Sequence, residues 1–305
     1  MKTSEPEFHQ PVLLQTAVNY LITKTDGIYV DGTLGGGGHS TEILTRLKNR
    51  GKLFGIDQDE DAIVTAKTRI GEDPRFQAVL GNFGYMDVIL PPEIQGNISG
   101  ILLDLGVSSY QIDTPERGFT FQQDAPLDMR MGKFTGISAA TVVNTYDISQ
   151  LKNILYKYGE ERKSGRIARA IVEKRPVSTT SELRKIIESV VKGPHSTKSV
   201  ARVFQAIRIE VNRELEMLEN ALKAGLKILE SGGRFVVISY HSLEDRLVKN
   251  FFKAGNLEGK VQKDFYGNVL SDISMLTRKV VRASDEEIGQ NPRARSAKLR
   301  VGVKS

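Results

Sequence analysis

Residues Asp31–Ser40 read DGTLGGGGHS, with four consecutive glycines between a β-rich apolar run and a run of helical spacing. A turn this bare between a strand and a helix lets the backbone approach a ligand and aims the helix's first N–H groups at it. The glycines do not fit the dinucleotide spacing G-x-G-x-x-G, because its last glycine position falls on Ser40. Outward from this turn, GIYVDGT, STEILTRL, GKLFGID, EDAIVTAKTRI, FQAVLGNF and GILLDLG alternate strand-like and helix-like segments from Ile28 to about Leu105. Strands separated by helices of this length predict a parallel sheet with right-handed crossovers, so the class is α/β.

After Gly106 the text becomes turn-rich, and helical segments follow near Ser149 to Tyr158, Glu160 to Lys174 and Ser181 to Val191. The spacing then predicts one long amphipathic helix from about Val200 to Leu229, ended by Gly232 and Gly233, with the strand RFVVISY directly after it. We read this as a Rossmann-like domain, residues 1–107 and 215–305, interrupted after its fourth strand by an inserted helical domain, residues 108–214. The tail runs LTRKVVRAS and SAKLRVGVK are read as final strands, and AGNLEGKVQKDFYGNVLSDISM and SDEEIGQNPRARS as surface loops.

With 305 residues, 39% of them hydrophobic, the chain can bury a substantial core. The start MKTSEPEFHQ has no charged-then-apolar leader pattern, and no stretch approaches the roughly 18 apolar residues of a bilayer span, so a cytoplasmic protein without a membrane partner is expected. The chain has no cysteine, which excludes disulfides, thiolate metal sites and thiol nucleophiles. Charge is unevenly spread: residues 1–151 hold 12 basic and 19 acidic side chains, residues 152–185 hold 10 and 4, and residues 260–305 hold 10 and 5. Two basic blocks beside an acidic first half suit a polyanionic partner such as RNA, although either block alone is equally a solvated surface.

In its spacing the glycine turn resembles the D-x-G-x-G-x-G loop of Rossmann-like S-adenosylmethionine methyltransferases, with Asp31, Gly35 and Gly37 in register and Thr33 replacing the first glycine. Asp57 closes the next strand, where a doubly wound fold places the carboxylate that accepts from ribose hydroxyls. Phe83 follows the third strand and either packs beside an adenine or belongs to the core. Asp104 ends an otherwise apolar fourth strand, at the edge where open α/β sheets bind ligands.

Over nearly its whole length the chain resembles the bacterial RsmH (MraW) family of ribosomal RNA small-subunit methyltransferases. The resemblance rests on HQPVLL, DGTLGGGGHS, LLDLGVSSYQID, ERGFTF, PLDMRM, YGEER, RIARAIV, FQAIRIEVN, ISYHSLEDR and NPRARSAKLR, in that order. It implies S-adenosylmethionine-dependent methylation of N4 of a cytidine in the decoding region of 16S rRNA. It also implies cofactor contacts by Gly37, Gly38, His39, Asp57, Phe83, Asp104 and Gln111. The implied partner is 16S rRNA or the small ribosomal subunit; oligomeric state and metal dependence are left open.

Without cysteine, the covalent thiolate route to cytosine C5 is closed, and a nitrogen or oxygen acceptor is expected. An exocyclic amine is a weak nucleophile, so its site needs groups that accept from its N–H bonds. The candidates are Asp104, Asp128 in PLDMRM, and Tyr240 and His241 in ISYHSLEDR, with His241 equally suited to cap the following helix. Arg130 is read as fixing its loop through an ion pair. Arg162, Lys163, Arg166 and Arg169 recur at helical spacing and suit phosphates, as do Arg293 and Arg295, with Lys298 and Arg300 beyond them. Two other readings stand beside this one: a nonenzymatic RNA-binding or assembly protein on a methyltransferase shell, and a methyltransferase of a small molecule or protein.

Overall fold

The computed structural model describes residues 11–132 and 136–305, so the stretch MKTSEPEFHQ, with the first two residues of HQPVLL, lies outside the described residues. The chain forms two compact units, Met1–Gly106 with Glu216–Ser305, and Val107–Leu215.

The first unit is built on a seven-stranded sheet of β1 (Ile28–Asp31), β2 (Lys52–Asp57), β3 (Phe76–Leu80), β4 (Ile98–Asp104), β5 (Leu229–Ser239), β6 (Ile273–Met275) and β7 (Lys298–Lys304), in the order β3-β2-β1-β4-β5-β7-β6. The first five strands pair in parallel, and β7 runs antiparallel to both β5 and β6. Successive side chains of a strand point to opposite faces. Val30, Ile101, Leu103, Phe235 and Val237 accordingly join one apolar cluster, while Tyr29, Leu102, Val236 and Ile238 join another. Helices cover both faces: residues 218–228 pack with the first cluster, and residues 17–21 and 43–44 with the second. A parallel sheet buried on both sides needs continuous apolar strands, and β4 (ISGILLD) is buried from Ile98 to Leu103.

The second unit is helical. Helices Ala139–Thr145, Ile148–Lys157, Ser164–Glu173, Thr180–Val190 and Ser196–Asn212 enclose their own core, which includes Leu151, Ile167, Ile187, Val203 and Ile207.

Four expectations need correction. SDEEIGQNPRARS, read as a surface loop, forms the helix Asp285–Gln290 and the 3-10 turn Pro292–Ser296. The single long helix is two, Ser196–Asn212 and Glu214–Ile228, separated by Arg213 in the left-handed region at φ 51°. No glycine or proline marks this break. It is held instead by side chains: Arg208 forks onto Glu214 with two bonds of 2.8 Å, and Asn212 donates to Met129 O and accepts from Met131 N. The helix ends at Ile228, before Gly232 and Gly233. Gly232, at φ 80°, lies instead in the irregular start of β5, where pairing with β4 shifts register. Finally, the edge strand is Ile273–Met275 rather than LTRKVVRAS, of which Val281 makes one isolated bridge to Leu299.

Candidate active site

The carboxyl ends of β1, β2 and β4 each carry an aspartate, and the glycine turn ties them together. Asp31 is buried and accepts from Ser40 Oγ at 2.7 Å and from Thr33 N at 3.2 Å. Asp57 accepts from Gly35 N at 2.8 Å with one oxygen and from Asp59 N at 2.9 Å with the other. Thr33 Oγ1 accepts from Asp104 N at 2.6 Å. The hydroxyl in the first glycine position therefore joins the β1 exit to the end of β4, a role that spacing alone does not reveal.

The glycines divide by what constrains them. Gly35 and Gly37 have φ of 49° and 75°, which favours glycine. A Cβ on Gly38 would come within 2.2 Å of Pro11 Cγ, and one on Gly37 within 3.1 Å of Ala66 Cβ. Gly36 differs: its Cβ would meet only Thr65 Cγ2, at 3.9 Å. Folding thus accounts for Gly37 and Gly38, whereas at Gly36 neither crowding nor a positive φ demands glycine.

At the end of β4, Asp104 keeps 22% of its side chain exposed and accepts a 2.7 Å hydrogen bond from the Tyr240 hydroxyl on Oδ1. Desolvation is the main reason its carboxyl is raised to about 7, with Asp31 and Glu244 adding repulsion and the Tyr240 bond opposing it. Asp31 and Asp57 are raised to about 6, again chiefly by desolvation. Burial and the neighbouring Asp104 carboxylate push the Tyr240 hydroxyl upward, so it remains a donor. His39 is buried, contrary to the usual exposure of a first-turn histidine, and desolvation lowers it to about 4. Its Nε2 lies 3.2 Å from Val12 O, which can only accept, so the neutral ring carries its proton there. Nδ1 is left as an acceptor, 3.8 Å from Asp104 Oδ2. Two acceptors thus converge at one strand end, an arrangement suited to a group that only donates.

The other candidates fall elsewhere. His241 caps the helix Ser242–Ala254 in a reciprocal box with Glu244, whose carboxylate accepts from Tyr240 N and His241 N. Phe83 starts a short 3-10 turn and packs, partly buried, against the first apolar cluster. In the second unit Gln111 is buried and forms the capping box of helix Ser109–Asp113 with Ser108. Asp128 is bound by Arg130 through Nε at 2.9 Å and Nη2 at 2.7 Å, which is the loop-fixing ion pair. Burial opposes ionisation of Asp128, but Arg130 outweighs it and holds the carboxyl below its usual value, making it a poor proton acceptor.

Arg162, Lys163, Arg166 and Arg169 are all exposed, the last two on helix Ser164–Glu173 and the first two just before it. In the first unit Arg293 and Arg295 lie in the turn Pro292–Ser296, with Arg295 exposed and Arg293 partly so. Arg300 does not belong with them. It is 7% exposed and bonds Asp245 at 2.6 Å, and Lys298 lies 3.6 Å from the same carboxylate. Both sit on β7, where neutralising Asp245 occupies their charge.

Comparison with known proteins identifies the family. The chain is 48% identical over 307 residues to the "Ribosomal RNA small subunit methyltransferase H" of Bacteroides fragilis (strain YCH46), covering 100% of both chains. It is 48% identical over 305 residues to the protein of that name from Flavobacterium johnsoniae, covering 99% of each. With that of Cytophaga hutchinsonii it shares 47% over 297 residues, 96% of this chain and 98% of the relative. The model of the MraW methylase family matches residues 7–305, and with the glycine turn and acid-lined sheet edge in place, the chain belongs to that family.

Proposed function

We propose that the protein transfers a methyl group from S-adenosylmethionine to the exocyclic N4 of a cytidine in the decoding region of 16S rRNA, as a cytoplasmic enzyme. The observation that carries this reading is the pair of convergent acceptors, Asp104 Oδ2 and His39 Nδ1, directly beside the glycine turn. Among the described residues no helix is long and apolar enough to cross a membrane.

The residues fit a sulfonium nucleoside. Backbone at Gly36 has room for a close approach, and the three strand-end aspartates suit a cation. Gly37, Gly38 and His39 would form the turn that holds it, Asp57 would accept from the ribose, and Phe83 would flank the base. When bound, the cofactor supplies a methyl carbon on positively charged sulfur. Asp104 accepts from the amine N–H bonds and takes a proton as the nitrogen gains its new bond. A carboxyl raised to about 7 is well matched to that task near neutral pH. Tyr240 positions it by occupying Oδ1. The exposed arginines and lysine at 162–169, with Arg293 and Arg295, engage phosphates.

The test is mass spectrometry of nucleosides from small subunits purified from cells lacking the protein, before and after incubation with enzyme and S-adenosylmethionine. N4-methylated cytidine should appear only afterwards. No methylation, with no calorimetric binding of S-adenosylmethionine, would support the nonenzymatic reading instead.

A further inference from the structure

Residues Lys260–Leu270 form a small hairpin whose tip carries two aromatic rings in the solvent. Phe265 is 98% exposed and Tyr266 is 86% exposed, their centroids 5.7 Å apart and their planes at 88°. Neither ring serves a core. Exposed apolar surface gathered on one turn, rather than scattered singly, is the kind that marks an interaction site.

The display is built rather than loose. Asp264 accepts from Tyr266 N, Asn268 N and Asn268 Nδ2, its own N–H donates to Asn268 O, and Gly267 turns the chain at φ 88°. Lys263 bridges Val269, and Leu270 N donates to Gln262 O. At the root, Asn256 bonds Lys260 in both directions, to its carbonyl and from its N–H, just beyond the glycine cap of helix Ser242–Ala254. The other arm runs into β6. Lys260 and Lys263 are exposed along the stem, while the one acid at the tip, Asp264, is committed to the turn by its bonds to Asn268 and the backbone.

We propose that this hairpin is an RNA-binding finger, with Phe265 and Tyr266 stacking on unpaired bases while Lys260 and Lys263 face the adjoining phosphates. The proposal rests on the reading of the protein as a ribosomal RNA methyltransferase and names a contact that the reading did not include. Charge argues for the occupant: within Lys260–Leu270 two exposed lysines outnumber the single carboxylate of Asp264, and a net positive stem carrying aromatic rings matches a strand with flat bases on an anionic backbone. Two perpendicular rings present separate faces, so adjoining bases can each be engaged without sequence preference.

The experiment measures binding of unmethylated small subunits by wild type, Phe265→Ala/Tyr266→Ala and Lys260→Ala/Lys263→Ala across a salt series, with S-adenosylmethionine affinity measured calorimetrically in each. The aromatic double variant should bind roughly ten-fold or more weakly, at an unchanged salt slope, because stacking releases no counterions. The lysine variant should flatten the slope by about one to two units. Phe265→Tyr/Tyr266→Phe should restore binding, and cofactor affinity should stay constant throughout. Wild-type affinity in the aromatic variant overturns the finger while leaving the methyltransferase reading intact. So does a wild-type dimer in sedimentation, or vesicle binding by wild type, that the aromatic variant abolishes. If wild type neither binds nor methylates subunits, both readings fall together, a result distinct from any variant's behaviour.

Discussion

In the first unit, Asp31, Asp57 and Asp104 sit at strand ends where each is answered by a defined donor: Ser40 and Thr33, Gly35 and Asp59, Tyr240. In the second, Arg162, Lys163, Arg166 and Arg169 stand exposed at and before a helix whose other face is buried among Leu151, Val203 and their neighbours. Desolvated, cross-bonded acids make a rigid site of fixed shape, and they perturb one another's protonation. Solvated cations act through the sum of their field. The difference predicts that the strand-end aspartates discriminate by geometry and pH, and the cations at 162–169 by salt.

The sharpest way to break this contrast is Asp104→Asn. Methyl transfer should fall by about 10²–10³-fold, as expected for removing a general base, with little change in RNA affinity. Wild-type turnover should rise with pH through about 7 as Asp104 ionises. Stability should move the other way. A carboxyl raised from 3.8 to about 7 in the folded state contributes stability fully present below pH 4 and lost as pH rises through 7. Thermal melts of Asp104→Asn should therefore gain on wild type above pH 7 and lose that advantage in acid. An advantage independent of pH would contradict the desolvated-acid account.

Next in size is a pair of glycine substitutions. Gly38→Ala sets a Cβ against Pro11 and should lower stability by roughly 1–3 kcal/mol, as overpacking does. Gly36→Ala has open space and should melt like wild type yet bind S-adenosylmethionine more weakly. Calorimetric titration and melting of both would separate the glycine needed for folding from the one kept for a ligand. Equal melting points would remove the distinction.

Arg166→Ala/Arg169→Ala tests the other side of the comparison. RNA affinity should drop roughly ten-fold at 0.15 M salt and the salt slope should shrink by about 1.5–2, with cofactor affinity unchanged. An unaltered slope would take the helix face out of the interface. The smallest effect is expected for Tyr240→Phe, which leaves Asp104 in place but frees Oδ1. Turnover should fall a few-fold, by about the worth of one hydrogen bond, and because that bond lowers the carboxyl, the pH profile should shift upward. An unshifted profile would show that the pair does not titrate together.

Much of this frame was legible in residue order because its physics is local. Apolar runs such as GILLDLG announce buried parallel strands, and their terminal aspartates announce a ligand edge. Arg213 was not legible: its left-handed turn is fixed by Arg208, Asn212 and Glu214 acting together, and none of these is a helix breaker. Thr33 looked like a departure from a glycine pattern because its partner, the Asp104 N–H, is far along the chain. His39 needed the fold too, since only the carbonyl of Val12 fixes its tautomer. The short edge strand Ile273–Met275 was hidden in polar surroundings, where three residues carry too little periodicity to read.

The adjacency of β4 and β5 also has a consequence for biosynthesis. These strands pair side by side, yet the whole helical unit is encoded between them. At ~5–20 residues per second, about 120 residues take roughly 6–25 s to translate, during which the hydrogen-bonding edge of a very apolar strand has no mate. The nascent chain is therefore most exposed to misassociation while the ribosome is making the helices, and their early independent collapse would shorten the search once β5 emerges.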